Sequence, residues 1–145
     1  MCIRDSGTHV AGIAGAVGNN GIGIAGAAWN VKLMPIKVFQ STGFSNAATI
    51  VDGIDYASQN GATIINMSFA GPSSSLYNSS LQLAYSTSIL VAAAGNNGAG
   101  LDPCPINCFP VYPAAYSFVL GVQEISILGL LELSLIHISE PTRPY

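Results

Sequence analysis

Ala62-Thr63-Ile64-Ile65-Asn66-Met67-Ser68-Phe69 is an apolar, β-branched run that ends in polar residues. It lacks the in–out alternation of a half-solvated strand, so it reads as a central strand of a parallel sheet that delivers polar groups at its carboxyl end. Ala70-Gly71-Pro72 then turns the chain. Upstream, residues 47–59 carry Ile50, Ile54 and Ala57 at helical spacing with Asp52 and Asp55 pointing outward, and Ser45 or Asn46 has the chemistry of an N-cap. The two aspartates read as a solvated helix face rather than a working carboxylate pair. Downstream, residues 75–87 form a second helical stretch with Leu76, Leu81, Leu83 and Ala84 as its apolar residues. Ser88-Ile89-Leu90-Val91-Ala92-Ala93-Ala94 is then a second apolar strand, tipped by Gly95-Asn96-Asn97-Gly98.

Further toward the N-terminus, residues 40–46 form a loop and residues 31–39 a strand-like run. Residues 7–17 predict a buried helix, with Val10, Ile13, Ala14 and Val17 on one face and Gly7, Gly12 and Gly15 at close contacts. Its glycines make it a poor isolated helix, so packing must hold it. Three alternating helix–strand units with non-alternating strands predict an α/β fold: a doubly wound parallel sheet with helices on both faces, here incomplete.

The bulk composition agrees with dense burial, since half of the 145 residues are hydrophobic and 8% are charged. Between positions 7 and 132, Lys32 and Lys37 stand against Asp52, Asp55, Asp102, Glu124 and Glu132, which gives no basic patch for nucleic acid. The longest apolar stretch, residues 118–138, is broken by Gln123, Glu124 and Glu132 and is no membrane span. Gly21-Ile22-Gly23-Ile24-Ala25-Gly26 has the letters of a dinucleotide-binding loop. That motif should follow a strand and open a helix, whereas here a helix precedes it and the strand-like run follows.

Ser6-Gly7-Thr8-His9-Val10-Ala11-Gly12 resembles the His-Gly-Thr-His-Val-Ala-Gly signature of the subtilisin-like serine proteases, the subtilases, at every position but the first. The resemblance implies that Ser6 occupies the place of the charge-relay histidine, and that His9 is a helix neighbour without a chemical role. Met1-Cys2-Ile3-Arg4-Asp5 reads like a translated sequencing adapter, and residues 133–145 read like its reverse counterpart. An adapter supplying the first two bases of the codon would turn His into Ser, which is the expected origin of Ser6. The rival is a genuine pseudoenzyme, a noncatalytic binding domain of the same fold. On this division residues 1–6 and 133–145 are scars, residues 7–122 a partial catalytic domain and residues 123–132 an unassigned stretch. The chain is expected to begin at the histidine of the triad and to stop before its serine, and a chain that begins mid-domain would show no signal peptide.

The same family resemblance extends along the chain in order. Residues 18–24 resemble its Asn-Asn-x-Ile-Gly-Val calcium loop, which implies Asn20 through its amide and Gly18, Ile22 and Ile24 through their carbonyls as ligands of a structural calcium. A Gly/Asn turn that binds nothing is the alternative. Gly43-Phe44-Ser45 corresponds to the segment that lines up beside the substrate as an extra strand. Ser68-Phe69-Ala70 corresponds to the segment on the other side of the peptide, with Ala70 where the family has Gly, which bears on the depth of the primary specificity pocket. Val91 to Asn96 resembles the family's Val-Ala-Ala-Ala-Gly-Asn, implying Ala94 and Gly95 beside the substrate and the Asn96 amide in the oxyanion hole; taken alone, Gly-Asn-Asn-Gly is also a plain turn. The implied partner is a peptide or protein substrate, and the implied location is extracellular or at the cell surface. With Cys2 set aside, Cys104 and Cys108 form an even pair in a proline-rich loop. A local disulfide is the favoured reading in a mostly exported family, and half a zinc site the lesser one.

Overall fold

A computed structural model of the chain describes residues 3–95 and 110–123. The chain divides into two compact units, Met1–Gly53 and Ile54–Tyr145, taken here in turn.

The first unit opens with helix α1, Ile3–Gly15, which starts four residues earlier than the glycine pattern predicts. Its expected burial is not observed. From Ser6 onward none of its residues is buried, and Ile13 is 43% exposed. The reason lies in what covers it. The returning chain donates from Gly26 to Ala16 O (2.9 Å), from Ala27 to Ile13 O (2.8 Å) and from Ala28 to Ala14 O (3.0 Å). A single irregular segment of chain shields one narrow side of a helix, where a sheet would shield a broad one. The glycines do serve close contact: a Cβ on Gly15 would stand 2.7 Å from Val31 Cγ2, and one on Gly26 would stand 2.3 Å from the Ala16 nitrogen.

Residues 31–39 are irregular rather than a strand, which corrects the expectation from their composition. β-branched residues specify an extended backbone, but a strand also needs a ladder partner, and none is found among the described residues. Here Ile36 and Val38 instead lean on helix α2, Ala47–Gln59, where a Cβ on Gly53 would stand 2.4 Å from Val38 Cγ1. That helix forms as its pattern predicts. Asn46 Oδ1 accepts the Thr49 N–H at 2.8 Å as the N-cap, and Ile50, Ile54 and Ala57 are buried.

In the second unit, α2 ends in a glycine stop. Ala62 N–H bonds to Ala57 O (3.0 Å) and Gly61 N–H to Ser58 O (3.3 Å), the paired bonds of a Schellman motif, which needs the left-handed backbone that Gly61 adopts at φ 80°. Strand β1, Ile64–Met67, follows directly, then helix α3, Ser75–Tyr85, strand β2, Ile89–Ala93, and strand β3, Leu120–Val122. The sheet runs β1-β2-β3 and is parallel throughout, with Ile64 beside Ile89, Met67 beside Ala92, and Val91 beside Leu120. This is the α/β parallel architecture predicted. Its core is Met67, Leu81 and Leu90, each under 2% exposed, with α3 packed on β2. Burial alternates along β1, however, and Ile64, Ile89 and Leu120 are each more than half exposed on the opposite face.

Two helical details refine the sequence reading. Asp52 is solvated, but Asp55 is half-buried and accepts the Ser80 hydroxyl of α3 at 2.5 Å, so it is a tie between helices rather than a free surface charge. Leu81 and Ala84 face the core, while Leu76 and Leu83 are 57% and 69% exposed. We therefore expect Leu81→Ala to cost about 2–5 kcal/mol in denaturant unfolding, and Leu83→Ala less than about 0.5 kcal/mol. Equal losses would contradict this assignment of the faces.

Candidate active site

Parallel neighbours end on the same side of a sheet, so β1 and β2 present their carboxyl-end residues together. From β1 come Ser68 and Phe69, both half-buried, and the exposed Ala70. The Asn66 amide donates to Ser68 Oγ at 2.7 Å and orients that hydroxyl. From β2 come Ala94, 3% exposed and bonded through its N–H to Val122 O at 2.9 Å, and Gly95, at φ 94°. The structure thus brings Ser68, Phe69 and Ala70 together with Ala94 and Gly95. Asn96, Cys104 and Cys108 lie outside the described residues.

Sequence reasoning gave no role to residues 111–116, which touch both tips. Gly71 and Tyr112 exchange two backbone hydrogen bonds, and Val111 sits against Gly95. The signal available was the spacing of Tyr112, Tyr116 and Phe118. Their rings pack in a row that continues to Tyr85, with centroid separations of 4.6, 5.4 and 5.7 Å; Tyr116 and Phe118 are stacked and the other two pairs are tilted.

The first unit holds the other predicted residues. Ser6 lies half-buried in α1, and His9 is exposed three residues further on. Residues 40–44 close a tight loop in which Gly43 N–H bonds to Gln40 O (3.1 Å) and Gln40 N–H to Phe44 O (3.0 Å), with Gly43 at φ 92°. Phe44 is 77% exposed, and the Ser45 hydroxyl donates to Val38 O.

Residues 17–25 line a shallow cavity of about 170 Å³. Asn19, Gly21 and Gly23 all take left-handed backbone there (φ 56°, 69° and 62°), which curls the loop around it. Asn20 Oδ1 accepts the Ile22 N–H at 3.0 Å and keeps a second lone pair. The Trp29 ring fills the space where a Cβ on Gly18 would stand, and its indole N–H donates to Gly26 O at 2.8 Å. Asn20, Gly18, Ile22 and Ile24 can offer four neutral oxygens, a fit to part of a calcium shell that takes six to eight. Among the described residues no cluster of three or more His, Cys, Asp or Glu side chains could hold a metal.

The family model for the subtilases, "Subtilase family", matches residues 5–129. The chain belongs to the subtilase family. It is 44% identical over 121 residues to subtilisin DY of Bacillus licheniformis, covering 82% of this chain and 42% of that protein. It is 40% identical over 123 residues to thermitase of Thermoactinomyces vulgaris, covering 81% of this chain and 40% of that protein. Among solved structures it is similar to the psychrophilic subtilisin-like protease Apa1 from Pseudoalteromonas sp. AS-11, with a TM-score of 0.69, 32% identity, and coverage of 83% of this chain and 27% of the other. The subtilase chain described here therefore spans about two fifths of the length of the first two of these relatives. No described helix is long and apolar enough to cross a membrane.

Burial raises the phenol pKa of both Tyr77 and Tyr116 above 10.0, and a charge on Tyr116 raises that of Tyr77 further. A folded-state pKa above the unfolded one means that the native state holds the proton longer. The associated stability is complete below the unfolded value and is lost as pH rises through the raised ones. Thermal midpoints should accordingly fall from about pH 10 upward, and Tyr77→Phe should flatten the fall. An unchanged slope in that variant would show that burial does not perturb Tyr77.

Proposed function

We propose that the whole protein to which this chain belongs is a serine endopeptidase that hydrolyses peptide bonds through an acyl-enzyme. The observation that supports this best is the pair of tips at the carboxyl end of a parallel sheet, Ser68-Phe69-Ala70 and Ala94-Gly95, in a chain of the subtilase family. In this reading Gly43-Phe44-Ser45 and Ser68-Phe69-Ala70 each offer backbone groups to an extended peptide. Ala70 in place of Gly makes the primary pocket shallower. Asn96 donates an uncharged hydrogen bond to the oxyanion, which an amide can do at any working pH. A triad serine needs a base to take its proton, and in the family that base stands at the position of Ser6.

A hydroxyl cannot serve as that base. His9 is three residues on, about 4.5 Å further along the helix axis, so the chain with Ser6 is inactive in this proposal. Full-length protein with His at position 6 should turn over a peptide amide about 10⁶-fold faster than the same protein with Ser6, and Asn96→Ala in the His background should lower kcat by about 10²–10³-fold with little change in KM; both magnitudes belong to subtilisin itself and are carried over. No turnover with His at position 6 would favour the noncatalytic binding domain.

We further propose that residues 18–24 bind a structural calcium through the Asn20 amide and the Gly18, Ile22 and Ile24 carbonyls, with remaining ligands from elsewhere in the protein. Bound, the ion would draw those oxygens together and hold the curled loop in one shape. An extracellular or surface location suits such a site, because calcium is abundant there. Calcium titration of the full-length protein should raise its thermal midpoint, and Asn20→Ala should reduce that gain. A midpoint indifferent to calcium would remove the site.

A further inference from the structure

Residues 111–116 hold the two strand tips at three points. A Cβ on Gly95 would stand 3.2 Å from Val111 Cγ1, so Val111 is in contact with the β2 tip. The neighbouring Tyr112 receives the Gly71 N–H at 2.9 Å and gives its own N–H to Gly71 O at 3.1 Å, which fixes the β1 tip. Tyr116 then reaches over the loop, and its phenol donates to Ser74 O at 3.2 Å. That carbonyl also accepts the Asn78 N–H at 3.1 Å, so the phenol meets the loop where it passes into α3.

The brace is itself stiff. Ala115 N–H bonds to Val111 O (2.9 Å), Tyr116 N–H to Pro113 O (3.1 Å) and Val119 N–H to Tyr116 O (3.0 Å). The Tyr116 ring lies against Phe118 at 5.4 Å and 11°, and against Tyr112 at 4.6 Å and 55°. Stacking fixes the direction of the phenol, so its hydrogen bond is made with little further loss of side-chain freedom. Loop 68–74 is thus pinned at its middle by a backbone pair and at its end by one hydroxyl.

We infer that Tyr116 is a positioning residue for peptide binding, acting through Ser74 to hold loop 68–74 in the shape that an extended peptide can pair with. This rests on the endopeptidase reading above. A loop that samples other shapes lowers apparent affinity in proportion to the fraction of time spent away from the competent one. Loss of a single neutral hydrogen bond changes such a fraction by up to about ten-fold. Tyr116 touches no group that does chemistry in that reading, so its loss acts on KM and leaves kcat alone.

The test compares full-length protein with His at position 6 and the same protein carrying Tyr116→Phe, which keeps the ring stack and removes only the hydroxyl. Tyr85→Phe, from the same aromatic row but 56% exposed, is the control. For an extended peptide amide, Tyr116→Phe should raise KM by about three- to ten-fold with kcat changed by less than about two-fold, and Tyr85→Phe should change neither. Amide hydrogen exchange should quicken over residues 69–75 and stay unchanged in β2. Turnover with an unaltered KM, or exchange that quickens throughout the sheet, overturns the positioning role while leaving the endopeptidase reading intact. Absence of turnover in the protein with His at position 6 overturns the endopeptidase reading, and the substrate role of Tyr116 falls with it.

Discussion

The parallel ladder between β1 and β2 is the constraint on which the second unit depends. Its register, Ile64 beside Ile89 through Met67 beside Ala92, places the first residues beyond each strand next to one another. Adjacent strands lie about 4.8 Å apart, so two tips far apart in sequence become neighbours without any contact of their own. An antiparallel pair would send them to opposite ends. The crossover through α3 makes the parallel arrangement possible, and the burial of Leu81 and Leu90 holds that crossover against the sheet. Ser88 adds a polar peg at the start of β2, its hydroxyl donating to Ala62 O at 2.6 Å.

What could be read in the sequence follows from how local its cause is. Helix α2 was legible because its signals are within the segment: a capping residue at Ser45 or Asn46, and the three-to-four spacing of Ile50, Ile54 and Ala57. Strands β1 and β2 were legible for the same reason. Residues 31–39 were not, because β-branched composition sets backbone extension but says nothing about a ladder partner, which is a long-range fact. The burial of α1 was overestimated on similar grounds: periodicity marks the apolar face and is silent on how broad a surface meets it. At the candidate site, the family motifs single out the tip residues, while nothing in the sequence singles out the brace at Val111, Tyr112 and Tyr116. Its bonds are backbone-to-backbone at Gly71 and phenol-to-carbonyl at Ser74, and carbonyls carry no sequence signature.

Small residues at the tips have a physical meaning that the brace makes clear. Gly95 has a left-handed backbone and Val111 within contact of its missing Cβ, so a side chain there would be strained by conformation and crowded by its neighbour at once. Ala70 sits one residue before the bridged Gly71, so a methyl is added where the tip is held by two hydrogen bonds and has little freedom to move aside. Rigid backbone is what lets a change of one carbon alter the shape of a cleft. In a loose loop the same methyl would be absorbed by a small shift.

The covered and bare faces of the sheet differ in what they contribute. Met67, Leu90 and Ala92 are buried, with α3 packed on β2, and supply the burial that stabilises the second unit. Ile64, Ile89 and Leu120 form the opposite file, at 61%, 54% and 61% exposure. Full burial of an aliphatic side chain is worth about 1.5–3 kcal/mol, so roughly half of what these three could contribute is not realised in the described residues. Parallel sheets in α/β proteins are covered on both faces, and their strands are apolar on both for that reason. The composition of β1 and β2 thus encodes a two-sided sheet, whereas the burial in hand is one-sided. The ladder, the α3 crossover and the tip brace all remain in place on the covered side. The geometry that sets the candidate site therefore depends on Leu81, Leu90 and the 111–116 segment, and not on whatever meets the bare face.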